Sequence, residues 1–317
     1  MVCNVMSNSS LLNKEYRTWL IDSRRWAGYV PKKGDIIVAT YPKSGTTWLQ
    51  RIVSLLIFQS TRPIELDGVF PWWECRTGPS VESLAIEIAR QSHRRSIKTH
   101  LPLDGLPIFD EVKYIHVARD GRDVCLSYHN HCLAHTDRSL DAMNRVGAQD
   151  LTLQRPYPEI PKDPAEFFHN WLTRGAIDGE EDGSPFLSYF ACEKTYASAS
   201  HRDNLLFIHY ADLKQNLIEE MARIADFMEV LVDRATLAKL ADSASFEKMR
   251  EEGMALIPRT AKLFQGEAER LFYKGRIGEW RGLFKQDDLE LFEQKLGALP
   301  KEYAGWLIGG RSGLPLK

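Results

Sequence analysis

The stretch TYPKSGTTWLQ (residues 40–50) places a lysine, a glycine and two threonines between two different hydrophobic patterns. Before it, DIIVAT (residues 35–40) is an almost unbroken apolar run, which is typical of a strand buried on both faces of a parallel sheet. After it, apolar residues recur at helical spacing: Trp48, Leu49, Ile52, Leu55 and Leu56. A strand, a glycine loop and a helix in this order predict the start of a βαβ unit.

The loop itself has the composition of an anion-binding site. Main-chain N–H groups at the start of a helix favour an anion. Gly45 lets the main chain approach a ligand closely, Thr46 and Thr47 add hydroxyl groups, and Lys43 adds a positive charge. A tight turn that merely caps the helix is the alternative, but the flanking strand and helix favour phosphate binding.

The order of residues in the loop argues against an ordinary magnesium–nucleotide site. The lysine precedes the glycine, and the motif GxxxxGK[ST] is absent from the chain. A P-loop phosphotransferase using Mg-ATP also needs an acid at a strand end. Asp120 and Asp212 are the candidates, but neither directly follows its strand. A donor that needs no metal is therefore favoured, and the phosphotransferase remains the second hypothesis.

Three further apolar runs end in polar residues: SIKTH (residues 96–100), VKYIHVARDG (112–121) and NLLFIHYAD (204–212). Helical patterns lie between them, at residues 81–91, 121–132 and 164–177. Alternating strands and helices predict an α/β fold with a parallel sheet flanked by helices. Ligands of such sheets bind beyond the carboxyl ends of the strands, where His100, Arg119 and Tyr210 are expected.

Composition sets the broad class. The 317 residues carry a formal net charge of −2, with 44% hydrophobic and 26% charged residues, so bulk nucleic-acid binding is not expected. No signal peptide and no membrane-spanning run are recognised, and residues 1–317 are expected to form a single domain. The odd number of cysteines and the absence of a CxxC pair favour free thiols in a reducing cytoplasm. The five are Cys3, Cys75, Cys125, Cys132 and Cys192.

Residues 135–164 are rich in polar residues and proline and are expected to form a loop or lid. Just before and within this segment, His129, His131 and His135 raise the question of a metal site. No carboxylate or cysteine stands at matching spacing, so no metal is expected. The histidines follow Ser127 closely, and lining a pocket is the alternative.

Four stretches in this order resemble the cytosolic sulfotransferases, which use 3′-phosphoadenosine 5′-phosphosulfate. TYPKSGTTW resembles the 5′-phosphosulfate loop of that family, and IKTHLPLDGLP (residues 97–107) resembles the segment with its catalytic histidine. VARDGRDVCLSY (117–128) resembles the 3′-phosphate segment, and YKGRIGEW (273–280) with Phe284 resembles its C-terminal glycine-basic loop. The resemblance implies a P-loop-like sulfotransferase fold that moves a sulfuryl group to a hydroxyl and releases adenosine 3′,5′-bisphosphate.

The resemblance also implies roles for individual residues. His100 would be the general base, and Lys98 a second cation near the transferred group beside Lys43. Trp48 and Phe246 would flank the adenine, and Tyr210 would meet its edge. The 5′-phosphosulfate would be held by Lys43, Ser44, Gly45, Thr46 and Thr47, and the 3′-phosphate by Arg119, Ser127, Lys274 and Gly275.

Elementary chemistry agrees with these roles. Negative charge builds on the leaving phosphate, which fixed cations and N–H groups stabilise. Histidine, with an ordinary pKa near 6.5, suits removal of the acceptor proton. A nucleotide-binding module without catalysis is a third hypothesis, against which the presence of His100 and Lys43 counts.

The chain departs from the family pattern at two positions. Tyr273 replaces an arginine, so one 3′-phosphate contact is lost or is supplied by Arg276. Ala244 replaces a threonine two residues before Phe246. No clear match to the family's dimer motif is found, so the oligomeric state stays open.

The acceptor is less well specified than the donor. The aromatic stretch VFPWWEC (residues 69–75) suits either core packing or an apolar acceptor, with Phe70, Trp72 and Trp73 as candidates beside His131. A sizeable, partly apolar small molecule is expected. Phenols, sterols, lipids and glycosylated metabolites are not separated by the sequence.

Overall fold

The structure, a computed structural model, describes residues 14–272 and 274–312. Its centre is one sheet of four parallel strands in the order β2-β1-β3-β4. The register places Val38 opposite Lys98 and Ala39 opposite His116. The strands are β1 (Ile36–Thr40), β2 (Ser96–Thr99), β3 (Lys113–Ala118) and β4 (Leu205–His209). All four were predicted from apolar runs.

Helices cover both faces of this sheet. They are α1 (Thr46–Phe58), α2 (Leu66–Val69), α3 (Val81–Ala89), α4 (Gly121–Cys132), α5 (Asp137–Gln149), α6 (Pro164–Thr173), α7 (Tyr189–Ser198), α8 (Tyr210–Gln215), α9 (Leu217–Phe227), α10 (Arg234–Ser243), α11 (Phe246–Glu251), α12 (Gly253–Leu256), α13 (Pro258–Ala261), α14 (Glu267–Leu271), α15 (Gln286–Leu296) and α16 (Lys301–Gly309). Three short 3₁₀ helices span Ser23–Gly28, Leu103–Gly105 and Gly310–Ser312.

Alternate residues of β1 serve the two cores. Ile36 and Val38 join an apolar cluster that includes residues of α1, α9 and α10. Ile37 and Ala39 join a second cluster on the other face, which includes residues of α4, α6, α7 and α16. All five residues of β1 are buried, because a parallel strand between two helical layers has no solvent-facing side. The predicted α/β class is confirmed.

The segment after His135 corrects a prediction. Residues 135–164 were expected to be a loop or lid, yet α5 occupies its first half. The Thr136 hydroxyl caps this helix by accepting a hydrogen bond from the main-chain N–H of Ser139. Met143 is fully buried against Trp19, Leu153 and Tyr157. The prediction failed because few apolar residues mark the buried face, although the cap residue was visible.

The described cysteines are all reduced and buried: Cys75, Cys125, Cys132 and Cys192. Cys3 lies outside the described residues. Between residues 14 and 312, apart from position 273, every helix is too short or too polar to cross a lipid bilayer.

Candidate active site

The loop between β1 and α1 has the shape that an anion cradle requires. Lys43 has a φ of 69° and Gly45 a φ of 117°, so the chain passes twice through the left-handed region before the helix begins at Thr46. A Cβ on Gly45 would lie 3.0 Å from Cδ2 of Tyr210, in addition to the backbone strain. Only glycine meets both conditions. The N-terminus of the 13-residue helix α1 therefore faces a cavity.

One cavity brings together nearly all of the residues predicted for the donor site. Its wall includes Lys43, Gly45, Thr46, Thr47, Trp48, Arg119, Ser127, Tyr210, Phe246, Lys274 and Gly275, together with Lys98, His100 and His131. Ser44 lies behind the wall, fully buried. The ends of all four strands contribute, through the loop after β1 and through His100, Arg119 and Tyr210, because they meet at one edge of the parallel sheet. Other residues come from α4, from α11 and from the loop near residue 275.

Aromatic side chains form one end of the cavity. The indole N–H of Trp48 donates to the carbonyl of Ala244 at 2.7 Å, and its ring stands edge-on to Tyr210 at 5.3 Å. Phe246 lies against Gly275, where a Cβ would come within 2.5 Å of its Cε2. The main chain at position 275 thus approaches an aromatic ring as closely as glycine allows.

Arg119 is a cation of the wall that is held by three neighbouring groups. Its guanidinium lies 4.5 Å from the ring centre of Tyr210, and its Nη2 donates to the carbonyl of Arg276 at 2.8 Å. The Oδ2 atom of Asp123, four residues further along the chain, lies 3.9 Å from Nη2 of Arg119. The Nε of Arg119 is buried and has no hydrogen-bond partner among residues 14–272 and 274–312.

Asp123 anchors the C-terminal loop to this wall. Both of its carboxylate oxygens accept from the main-chain N–H of Gly278, at 3.0 and 2.9 Å. Within that loop, Lys274 donates to Glu279 at 2.7 Å. Burial raises the pKa of Asp123 above its usual range. The sequence analysis missed Asp123, although its place four residues after Arg119 on a predicted helix was a usable signal.

The side chain of Arg276 is 72% exposed and lies 3.7 Å from Glu279, and both residues line the cavity. Tyr273, the position that departs from the family pattern, lies outside the described residues. A different cation, Arg270, also lines the cavity and donates to the main-chain carbonyl of Asn130 at 3.3 Å. No motif marked Arg270, because its sequence neighbours on α14 carry no recognisable pattern.

His100 directly follows β2, and one of its two ring nitrogens is engaged in a hydrogen bond. Its Nδ1 lies 2.8 Å from the carbonyl oxygen of Thr40, so Nδ1 carries the proton and Nε2 keeps its lone pair. The hydroxyl groups of Thr40 and Thr46 are hydrogen-bonded to each other at 2.6 Å. Burial, together with Lys98 and Lys43, lowers the pKa of His100 to about 3. The pKa of His100 therefore lies well below the ordinary value near 6.5 that the residue type suggests.

The two lysines near His100 are also affected by burial. Burial and the charges of Arg119 and Arg270 lower the pKa of Lys43 to about 8. Burial lowers the pKa of Lys98, whose ammonium lies 4.9 Å from the ring centre of Trp72. Positive charges gathered in a partly desolvated cavity favour an anionic ligand.

The structure separates the aromatic acceptor candidates. Trp72 is half-buried and stands edge-on to His100 at 5.1 Å. Phe70 and Trp73 are buried in opposite cores, where both serve packing, and none of the three candidates lines the cavity that contains His100. The indole of Trp73 donates instead to the carbonyl of Arg25. His131 does line the cavity, beside Asn130.

The neighbouring histidines are held by polar contacts. His129 Nε2 bonds to the carbonyl of Pro161, and His135 Nδ1 to the hydroxyl of Ser139. The described residues contain no group of three or more side chains placed to hold a metal ion. Asp120 and Asp212, the acids that a magnesium nucleotide would use, bond to Arg122 and to the main chain of Arg311.

Buried polar atoms mark where a ligand fits. The Ser44 hydroxyl, the Arg119 Nε and the His131 Nδ1 are all shielded from solvent without a hydrogen-bond partner in the described parts of the chain. Such atoms are costly in a folded protein unless a ligand or water satisfies them. Cations, an aromatic end and a glycine cradle together suit a nucleotide with phosphate groups at two places.

Comparison with known proteins gives the family. Residues 33–303 match the family model described as "Sulfotransferase domain". A glycolipid sulfotransferase of Mycobacterium tuberculosis (strain ATCC 25177 / H37Ra) is 30% identical over 315 residues, covering 94% of this chain and 95% of the relative. Mouse sulfotransferase 1B1 is 28% identical over 269 residues, covering 82% and 80%.

Solved structures share the fold. Mouse sulfotransferase SULT7A1 complexed with PAP has a TM-score of 0.63 at 21% identity, covering 87% of this chain and 88% of that one. Retinol dehydratase in complex with androsterone and the inactive cofactor PAP has a TM-score of 0.66 at 21% identity, covering 88% and 85%.

Proposed function

Because this chain belongs to the sulfotransferase family, we propose that it transfers the sulfuryl group of 3′-phosphoadenosine 5′-phosphosulfate to a hydroxyl group of a small organic acceptor. The observation that carries the proposal is one cavity that joins the loop around Lys43, the cation Arg119 and the imidazole of His100. We further propose that residues 1–317 act as one domain in the cytoplasm.

The donor supplies an activated sulfuryl group on a phosphate leaving group. Lys43 and the main-chain N–H groups at the start of α1 stabilise the charge that grows on that phosphate. Arg119 and Ser127 hold the 3′-phosphate, with Lys274 and Gly275 on the other side. Further contacts come from Ser44, Thr46 and Thr47 at the phosphosulfate, and from Trp48, Tyr210 and Phe246 at the adenine.

His100 acts as the general base through Nε2. The imidazole is neutral at physiological pH, since its pKa is lowered, and a neutral ring is the form that accepts a proton. A bound anionic donor offsets the charges of Lys43 and Lys98, which raises the basicity of the ring at the moment when it is needed. Lys98 adds a cation beside the transferred group.

For the acceptor we propose a sugar hydroxyl of a glycolipid-like molecule. Polar residues line the cavity beside His100, namely Asn130, His131, Thr260 and Arg270. Such groups suit a carbohydrate with several hydroxyls better than a purely apolar ring. Relatives named glycolipid sulfotransferase, which align over nearly the whole chain, support the same choice.

The first test is thermal stabilisation by adenosine 3′,5′-bisphosphate, compared with Mg-ATP and ADP. At ~100 times its dissociation constant, a ligand adds about 2.7 kcal/mol to stability. We expect stabilisation by the bisphosphate without magnesium, and sulfation of a glycolipid in preference to a phenol or a sterol. Stabilisation by Mg-ATP alone would contradict the proposed donor.

The His100→Ala variant tests catalysis separately from binding. We expect turnover to fall about 10²- to 10⁴-fold, the usual contribution of a general base, while stabilisation by the bisphosphate is kept. Unchanged turnover would remove His100 from its role as the base. Loss of bisphosphate binding would mean that His100 serves the nucleotide instead.

A further inference from the structure

A buried carboxylate lies directly behind the proposed base. Glu74 follows Trp72 and Trp73 in the chain, and its side chain is completely buried. It is absent from the cavity wall and contacts no residue of the donor loop. Its hydrogen bonds nevertheless join His100, which faces the cavity, to Trp72, whose ring stands against His100.

The two carboxylate oxygens of Glu74 have different partners. Oε1 accepts three hydrogen bonds: from the main-chain N–H of His100 at 2.7 Å, the indole N–H of Trp72 at 2.7 Å and the hydroxyl of Thr99 at 2.9 Å. Oε2 accepts one, from the indole N–H of Trp26 at 3.0 Å. One oxygen therefore serves the active site, and the other serves the core.

This arrangement requires a carboxylate in particular. All four donors are neutral groups, and three of them converge on a single oxygen. A glutamine amide would offer a less negative oxygen with two lone pairs, and its NH₂ group would face the N–H of Trp26. A buried carboxylate costs free energy unless hydrogen bonds satisfy it, so its presence needs a reason.

We propose that Glu74 is a positioning residue that holds the main chain of His100 and the ring of Trp72 on one carboxylate oxygen, and so sets the base at a defined place beside the acceptor. The inference rests on the proposed role of His100. Glu74 holds the main-chain N–H of His100 and Thr40 holds its Nδ1–H, so the residue is anchored at two points, one on the main chain and one on the ring. Nε2 is then presented to the cavity in one orientation.

The carboxylate oxygen that holds His100 also holds the indole of Trp72. The ring of Trp72 stands edge-on to His100, and the ammonium group of Lys98 lies over the face of the Trp72 ring. A shift of Trp72 that breaks its bond to Glu74 leaves Oε1 with fewer donors and loosens His100 as well. The placement of Trp72 and the placement of the base are therefore linked through one atom.

Glu74→Gln tests this role against the matched control Trp26→Phe. The control removes only the donor to Oε2, which does not lead to the active site. We expect Glu74→Gln to lower kcat at least about tenfold, since small misplacements of a catalytic group cost 10- to 100-fold, with bisphosphate affinity within about twofold of the wild type. Trp26→Phe should lose stability but keep kcat within about twofold.

A second variant covers the case in which Glu74→Gln does not fold. Thr99→Val removes one donor to Oε1 and keeps the carboxylate, and we expect a smaller fall in kcat, about threefold to tenfold. Equal losses of kcat in Trp26→Phe and Thr99→Val would overturn the proposal, since they would indicate a general effect of stability. Wild-type kcat in a folded Glu74→Gln would also overturn it.

A spectroscopic readout separates this inference from the proposed function. The main-chain amide proton of His100, which Glu74 accepts, should resonate downfield in the wild type and move upfield in Glu74→Gln, where the acceptor oxygen is less negative. An inactive wild type with this shift pattern would contradict sulfuryl transfer but keep Glu74 as the positioning residue. An unchanged His100 amide shift in Glu74→Gln would overturn the positioning role whether or not the enzyme is active.

Discussion

At the scale of single residues, burial changes chemistry that the residue type alone suggests. His100 and Lys43 are ordinary in sequence, but both lose hydration in the cavity and lie among other positive charges. Both effects disfavour the charged form, so both pKa values fall. A neutral base and a cation of moderate pKa then stand in the same site.

The pKa of Lys43, about 8, predicts a basic limit for donor capture. The ammonium is present below this pKa and is lost as pH rises through it. We expect kcat/KM for the donor, which reports the free enzyme, to fall above about pH 8. Lys43→Arg should move this limb above the measurable range, because arginine stays protonated in proteins.

The profile is best measured between pH 6 and 10 with the acceptor saturating. His100→Ala is the control, since it slows the reaction without removing Lys43. A limb near pH 8 that persists in Lys43→Arg would assign the titration to another group.

At the scale of elements, two loops form opposite walls of the donor site. The loop before α1 is shaped by its own backbone, whereas the loop near residue 278 depends on a contact from α4. Asp123 supplies that contact with both carboxylate oxygens. A negative charge 3.9 Å from Arg119 opposes the binding of an anion there. We therefore infer that Asp123 contributes to the site by holding the loop through Gly278.

Asp123→Asn and Asp123→Ala separate the two effects. Both remove the charge, but only asparagine keeps an oxygen that accepts from Gly278. We expect Asp123→Ala to bind adenosine 3′,5′-bisphosphate about tenfold more weakly than Asp123→Asn, the equivalent of one lost hydrogen bond of about 1.4 kcal/mol. Calorimetric titration measures both constants. Equal affinities would show that the loop does not depend on this contact.

At the scale of the whole molecule, buried histidines make the fold sensitive to acid. Burial lowers the pKa of His100, His129, His131, His135 and His209. The unfolded chain takes up these protons near pH 6.5, whereas the folded chain does not. The contribution of these neutral histidines to the free energy of unfolding is therefore fully present above pH 6.5 and is lost as pH falls below that value.

We expect the free energy of unfolding to decrease between pH 6.5 and 4.5, and His135→Gln to flatten that slope. His135 titrates at about 4 in the fold, so removing it lowers the slope by up to about 1.4 kcal/mol per pH unit. Urea titrations at several pH values measure this, with the exposed His201→Gln as the control. The same data should show one cooperative transition if residues 1–317 form a single domain. An unchanged slope would contradict the role of His135.

The sequence alone determined the strand, the glycine loop and the helix that follow one another from residue 36, because apolar periodicity and the left-handed backbone of Gly45 are local properties. The sequence also indicated, in chain order, the strands whose carboxyl ends supply His100, Arg119 and Tyr210. Their convergence in one cavity follows from parallel pairing. Their individual roles stay predictions.

Only the tertiary structure decided where the aromatic residues of this stretch lie, since Phe70 and Trp73 are buried in opposite cores while Trp72 is half-buried against His100. It also placed Arg270 in the wall and Glu74 behind His100, across 26 residues of chain. The reason is physical. Desolvation and hydrogen bonds between distant segments depend on what packs around a side chain, and no local pattern in the sequence carries that information.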